Sequence, residues 1–459
     1  MINRGNLKRL RNSPQLIPPI ASPLTLTLYF LFPYRSHSHS HAVFLIPMIT
    51  FKEFTLENGL HVIVHEDATV QIAVMNILYA VGSRDESPDK TGFAHLFEHL
   101  MFGGSRNIPS YDEPLQRVGG ENNAFTNTDI TNYYLTLPAA NLETGFWLES
   151  DRMLSLSFDP KVLDVQQKVV IEEFKQRYYN QPYGDVWLKL RPLTYKVHPY
   201  QWATIGKEIS HIEQATLEDV KSFFFKHYVP NNAILVVAGN VTFEQVKELS
   251  EKWFGPIPRG VNGHRNLPVE PPQEGKRVLD VEAKVPADAF YKAWHMPGRF
   301  HDDYYAIDLL SDILSRGQSS RLYQSLVKEK ETFVSISSFV MGTIDPGLLV
   351  VSGRVKDGVS LTKAEEEVNA ILQDIVDNGV TEEELDKVKI QAESTLEFGE
   401  IEVMNRAMNL AFARLSGDAN LVNEESQLIN AVTTADIKRV AQGILNESNA
   451  SVLYYRATK

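Results

Sequence analysis

The sequence predicts an α+β chain built as two related domains, and three observations carry that expectation. From Phe51 onward, apolar residues recur first with strand period and then with helical period, and this order repeats later in the chain. The stretch from Gly255 to Gly275 holds five prolines and four glycines without a clean period, the composition of a linker. Thr216, Asp219, Lys221, Asn232 and Ala233 recur as Thr433, Asp436, Lys438, Asn449 and Ala450, all 217 residues on. The expected parts are an extension at 1–47, a first domain at 48–262, a linker at 263–275 and a second domain at 276–459.

Taken in order, residues 1–47 carry five basic side chains (Arg4, Lys8, Arg9, Arg11, Arg35) and no acidic ones. Without them the formal charge moves from −13 to −18. Ile20 to Phe32 is largely apolar but broken by Pro23, far short of the roughly 18 residues of a membrane span. The basic start and apolar middle resemble a secretory signal without its small-residue cleavage site, and the acid-free, Arg-rich character partly fits an organellar transit peptide. Met48 opens an ordered-looking stretch and could itself be the start. The expected location is cytoplasmic if translation starts at Met48, and periplasmic or mitochondrial if the extension belongs to the protein. The Ser-His run from Ser36 to His41 is a low-complexity tract with no fixed metal geometry.

Asn58-Gly59 marks a turn before a strand at Leu60 to Val64, and Ile72 to Tyr79 reads as the next. Helical periodicity follows at 91–102, 143–155, 161–179, 216–227 and 243–254, with a short buried strand at Ile234 to Ala238. Past the linker, strands near 277–294 and helices near 302–315, 318–330, 360–376 and 381–415 repeat the rhythm.

Composition narrows the chemistry. The chain has 459 residues and no cysteine, so thiolate nucleophiles, disulfides and Cys-held metals are excluded, and any metal must use His, Asp or Glu. The acidic balance argues against a nucleic-acid partner and suits basic ligands where it lines a site.

The sharpest feature is His95-Leu96-Phe97-Glu98-His99. On a helix, His95 and His99 lie about 40° apart and Glu98 about 60° to the other side. Phe93, Phe97, Leu100 and Met101 gather opposite, so the apolar stripe packs inward while two imidazoles and a carboxylate look out together. Two His at i, i+4 suit one tetrahedral zinc, and the adjoining carboxylate can take a proton from water. This is the inverted H-x-x-E-H order of the inverzincins. The plainer alternative is a solvated His/Glu helix face.

Zinc needs a third protein ligand. On the helix at 161–179, Glu173 falls in the middle of a stripe formed with Val162, Leu163, Val169 and Val170, where an unpaired carboxylate would be costly. Glu172 lies at the stripe's edge and can reach water. A metal ligand explains Glu173 better than a buried ion pair with Arg or Lys. Gln166, two turns earlier on the same stripe, is placed to hydrogen-bond the metal's surroundings. Between these helices, Gly119 to Tyr134 is polar and rich in Thr and Tyr: an ordinary edge strand, or an edge that accepts a peptide by strand addition with Phe125 as an apolar contact.

The H-x-x-E-H run, the Gly119 to Tyr134 segment, Glu173 followed by Asn180-Gln181-Pro182-Tyr183-Gly184, and His198-Pro199-Tyr200 resemble the pitrilysin/insulysin family of zinc peptidases. The likeness runs from about Phe54 to the C-terminus and is greatest with short two-domain members, among them bacterial zinc peptidases and the catalytic subunit of mitochondrial processing peptidase. It implies two homologous α/β-sandwich domains forming half of a clamshell. It also implies one Zn2+ per chain held by His95, His99 and Glu173, with Glu98 as catalytic base. Asn123, Ala124 and Phe125 would line the substrate strand, and the substrates would be peptides or unfolded segments.

Two departures follow. Gln166 stands where the family usually has glutamate. The second domain keeps Ser319-Ser320-Arg321-Leu322-Tyr323, but the positions of a substrate-orienting Arg and Tyr hold Val327 and Val334. Arg321 and Tyr323 are expected to be structural. The partner implied is a zinc-less homologous subunit that brings the missing pair, in a heterodimer, with a homodimer as alternative. No nucleic-acid partner and no membrane span are expected. The rival functions are a non-catalytic, zinc-retaining binding subunit and an organellar presequence-processing subunit.

Overall fold

The computed structural model describes residues 48–261 and 265–458. The readings placed on residues 1–47, location among them, lie outside the described residues, as does part of the linker. Up to residue 261 the chain runs through β1 (Lys52–Thr55), β2 (His61–Glu66), β3 (Ile72–Tyr79), α1 (Phe93–Leu100), α2 (Asp112–Arg117), β4 (Glu121–Thr126) and β5 (Thr131–Pro138). It continues through α3 (Leu142–Leu154), α4 (Pro160–Phe174) with a π-helical turn at Lys175–Tyr179, α5 (Val186–Thr194), α6 (Ile209–Glu213), α7 (Leu217–His227), β6 (Ala233–Gly239) and α8 (Phe243–Trp253). Beyond 265 come β7 (Arg277–Ala283), β8 (Ala289–Met296), α9 (Tyr304–Ser315), a π-helical turn at Tyr323–Glu329, β9 (Phe333–Met341) and β10 (Gly347–Val355). The last elements are α10 (Leu361–Asn378), α11 (Glu382–Glu400), α12 (Val403–Leu415), α13 (Leu421–Ala431), α14 (Thr434–Ile444) and β11 (Ala450–Ala457).

The strands form two sheets, ordered β1-β2-β6-β3-β5-β4 and β7-β11-β8-β10-β9. Apart from β1, the two orders are one topology used twice, with the parallel pair β2–β6 matched by β7–β11 and all other pairs antiparallel. Helices α7 and α14 start 217 residues apart, as do β6 and β11, and α5 and α12.

The repeated residues have repeated jobs. Thr216 and Asp219 form a capping box at the start of α7, and Thr433 and Asp436 form the same box on α14. Asn232 donates to the carbonyls of His227 and Ala80, tying the end of α7 to the end of β3. Asn449 donates to Ile444 and His295, tying α14 to β8 in the same way.

Alternation along the strands sends each sheet's side chains to two cores. Val62, Val64, Met75 and Ile77 face the helices of their own half, while Ile63, Val74, Leu78 and Val236 face α12, which comes from the far end of the chain. In the second sheet Phe290, Trp294, Leu349 and Val351 face α9, α10, α11 and α14, while Ala289, Ala293, Leu348 and Leu453 meet Val186 and Leu190 of α5. Each sheet is thus covered on its second face by a helix from the other half. The region 381–415, expected as one helix, is therefore two: α11 ends at Glu400, and α12 departs for the opposite sheet.

The His198-Pro199-Tyr200 run also joins the halves. Tyr200 donates to Asp129 and accepts from the Asp345 N–H at 3.1 Å, and Arg84 pairs with Asp129 at 3.0 Å and Asp345 at 2.9 Å. No helix among the described residues is long and apolar enough to cross a membrane.

Candidate metal centre

The helix α1 is short, and its start is built by its surroundings. Gly92 has φ 87°, and a Cβ there would meet the Ile205 carbonyl oxygen at 2.6 Å, so glycine is required. The buried carboxyl of Glu86 accepts from the N–H groups of Gly92 and Ala94, both at 2.9 Å, satisfying two donors that the start of the helix leaves open. Burial pushes that carboxyl up against these two donors. Sequence reasoning missed Glu86, because it caps across a loop rather than from the adjoining residue.

Phe93, Phe97, Leu100 and Met101 are buried as expected, with Phe97 stacked on Phe223 and Tyr228. Beneath them Arg152 is fully buried, held by Glu149 at 2.8 and 2.7 Å and lying over the rings of Tyr133 and Tyr111. Tyr133 in turn donates to the Phe97 carbonyl at 3.3 Å, linking β5 to α1. The helix is fixed from below while its histidine face is left to the α4 side.

His95, His99 and Glu173 come together. Their ligand atoms lie within 4.8 Å of one another, and among the described residues no other three His, Asp or Glu groups do so. The Nε2 atoms of His95 and His99 stand 3.6 and 3.5 Å from a single oxygen, Oε2 of Glu173. Burial, then the neighbouring His99 and Arg177, pushes the His95 imidazole down to about 3, so it is neutral at ordinary pH, the form that ligates a metal. Its Nδ1 is buried and has no hydrogen-bond partner among the described residues. Glu98 is half-buried beside the histidines, and burial lifts its carboxyl above the usual range. Two imidazoles and one carboxylate fit a zinc donor set that leaves a position open, and Glu98, on the same helix and within electrostatic range of His99 and Glu173, is the carboxyl beside it.

One expectation about α4 needs correction. Glu173 does not sit mid-stripe: Val169 is 44% exposed, and the buried face runs through Leu163, Val170, Ile171 and Phe174. Glu173 borders that face with its side chain 23% exposed, and it already has a partner, Arg177, at 2.8 Å. Gln166 is half-buried but hydrogen-bonds none of His95, His99 and Glu173 among the described residues. Gln167, one residue on, binds the carbonyls of Ile212 and Ala215 instead.

The segment containing Asn123, Ala124 and Phe125 is β4, an edge strand of the first sheet among the described residues. Asn123 and Phe125 are exposed, while Ala124 packs against the core on the α1 side. The Ala124 N–H is taken by the side-chain oxygen of Asn123 at 2.8 Å, not by the neighbouring strand. In the second half, Val327 packs into the core, and Val334 on β9 is 63% exposed. Arg321 clasps Glu384, Asp374 and the Gly379 carbonyl, which is a structural role.

Known proteins match both halves. Residues 61–201 match the family described as Insulinase (Peptidase family M16), and residues 214–392 match Peptidase M16 inactive domain. The chain is 30% identical over 423 residues to the zinc protease PqqE of Helicobacter pylori, covering 88% of this chain and 92% of that one. A crystal structure of a protease from Helicobacter pylori superposes with a TM-score of 0.83 at 28% identity, covering 89% of this chain and 100% of that one. The periplasmic protease PqqL of Escherichia coli shares the fold at a TM-score of 0.73 and 18% identity, with 89% of this chain covering 48% of PqqL.

Proposed function

The chain belongs to peptidase family M16, the insulinase family, and from that membership we propose that it is the zinc-binding half of a peptide-bond hydrolase. The observation that carries this reading is the convergence of two imidazoles on one oxygen of Glu173, with Glu98 on the same helix as the imidazoles. His95, His99 and Glu173 would hold the metal. Zinc bound there supplies Lewis-acid polarisation of a peptide carbonyl and a lowered pKa for water. Glu98 accepts a proton from the attacking water and returns it to the leaving amine. The substrate backbone adds to β4, where the Ala124 N–H turns from the Asn123 side chain to a substrate carbonyl and Phe125 supplies an apolar contact.

The same proposal makes this chain one of a pair. A valine at 327 or 334 has no group to orient a substrate or steady a developing oxyanion, and the region carrying them matches a family described as inactive. The chain also spans about half of PqqL. We therefore assign the missing Arg and Tyr to a homologous, zinc-less partner in a heterodimer, with a homodimer as the alternative. The test is cleavage of an unstructured peptide by the purified chain, alone and with a candidate homologous partner, with and without zinc. Zinc-dependent turnover that needs the partner supports the pair, and full turnover by the lone chain contradicts it. Bound zinc without turnover in any pairing favours a non-catalytic binding subunit.

A further inference from the structure

We propose that Arg177 is a positioning residue that orients Glu173 and thereby raises the affinity of the site for zinc. The inference rests on the reading of His95, His99 and Glu173 as the metal ligands. The two oxygens of Glu173 have separate partners: Oε2 faces both imidazoles, and Oε1 takes the guanidinium of Arg177 at 2.8 Å. Arg177 does not compete for the metal-facing oxygen. It occupies the other one, which fixes the carboxylate's rotation and leaves a single oxygen to ligate.

Arg177 itself lies on an irregular stretch of the helix. Directly after Phe174 the helix widens into a π-helical turn, closed by the Asn180 N–H on the Lys175 carbonyl at 2.9 Å. Such turns inside helices are rare and concentrate at functional sites. The turn is pinned from below, where buried Phe174 packs against the rings of Tyr178 and Tyr179 at 5.2 and 5.4 Å. The cations of the turn are also sorted, Lys175 pairing with solvated Glu172 at 2.7 Å and Arg177 with Glu173.

Arg177 is itself 65% exposed, and an ion pair so open to water adds little to folding stability. Its consequence is felt at the carboxylate, because groups that orient metal ligands typically change metal affinity by about 10–100-fold. The internal repeat agrees. At the 217-residue spacing, Glu173 and Arg177 correspond to Ile390 and Ser394, so the acid and its guanidinium are absent together from the half whose equivalent helix α9 carries no histidine.

The experiment is a zinc-affinity measurement on the full chain, by competition with a chromophoric chelator at fixed pH and salt. The variants are Arg177→Ala, Arg177→Lys and Glu173→Ala. Arg177→Ala is expected to weaken zinc binding about 10–100-fold, with Arg177→Lys recovering part of it and the metal-free proteins melting at the wild-type temperature. Unchanged or tighter binding in Arg177→Ala overturns the inference while leaving the ligands in place. Binding by Glu173→Ala as tight as by wild type overturns the ligand assignment, and this inference with it.

Discussion

His227 shows how a single buried side chain writes a pH dependence into the first half. It lies on α7 against Phe223, with Nε2 buried and unpartnered among the described residues, and burial pushes its imidazole down to about 4. The unfolded chain takes up that proton near pH 6.5, the folded chain only near 4. Its contribution to stability is therefore complete above about pH 6.5 and is lost as pH falls towards 4. Chemical denaturation followed across pH 4–7.5 should show His227→Phe losing less stability than wild type on acidification; parallel curves would contradict this. At the metal cluster, His95→Ala and Glu173→Ala should each abolish stoichiometric zinc binding, measured by metal analysis after dialysis. The His-x-x-Glu-His face was legible because one helical period sets the geometry. Glu86 was not, since it acts across a loop, and Arg177 was not, since its i,i+4 pairing with Glu173 is the spacing of any ordinary surface ion pair and says nothing of a metal site.

At the scale of elements, the exchange of α5 and α12 is the feature that holds the two sheets as one body. Leu410 of α12 is fully buried against the first sheet. Leu410→Ala should cost about 2–5 kcal/mol in denaturant-measured stability, the range for emptying a packed leucine site. Arg406 on the same helix donates to Asp67 at 2.7 Å and to His65 at 2.9 Å, so the seam is polar at its rim and apolar at its centre. Because each half lacks a cover without the other, thermal unfolding should be a single transition; two resolved transitions would show that the halves fold separately. The strand-helix rhythm and the 217-residue repeat could be read from the sequence, since periodicity and capping boxes are local. The destination of α12 could not, because its apolar face is the same whichever sheet it covers. The hairpin β9–β10 was also missed, its serines and glycines blurring the alternation on which strand recognition depends.

At the scale of the molecule, one sheet carries a donor cluster at its helical face and an edge strand at β4, while the duplicated sheet has the topology without such a cluster among the described residues. That asymmetry is what the proposed role, the zinc-binding half of a pair, would require. The measurement that bears most directly on it joins zinc content and peptide hydrolysis on the same preparations of wild type and Glu98→Gln, each with the partner that gives turnover. Wild type is expected to hold one zinc per chain and to cleave. Glu98→Gln is expected to hold the same zinc and to lose turnover by about 10²–10⁴-fold, the usual contribution of a general base. Cleavage by Glu98→Gln at the wild-type rate, or wild-type cleavage that survives complete removal of zinc, would contradict the assignment of this site.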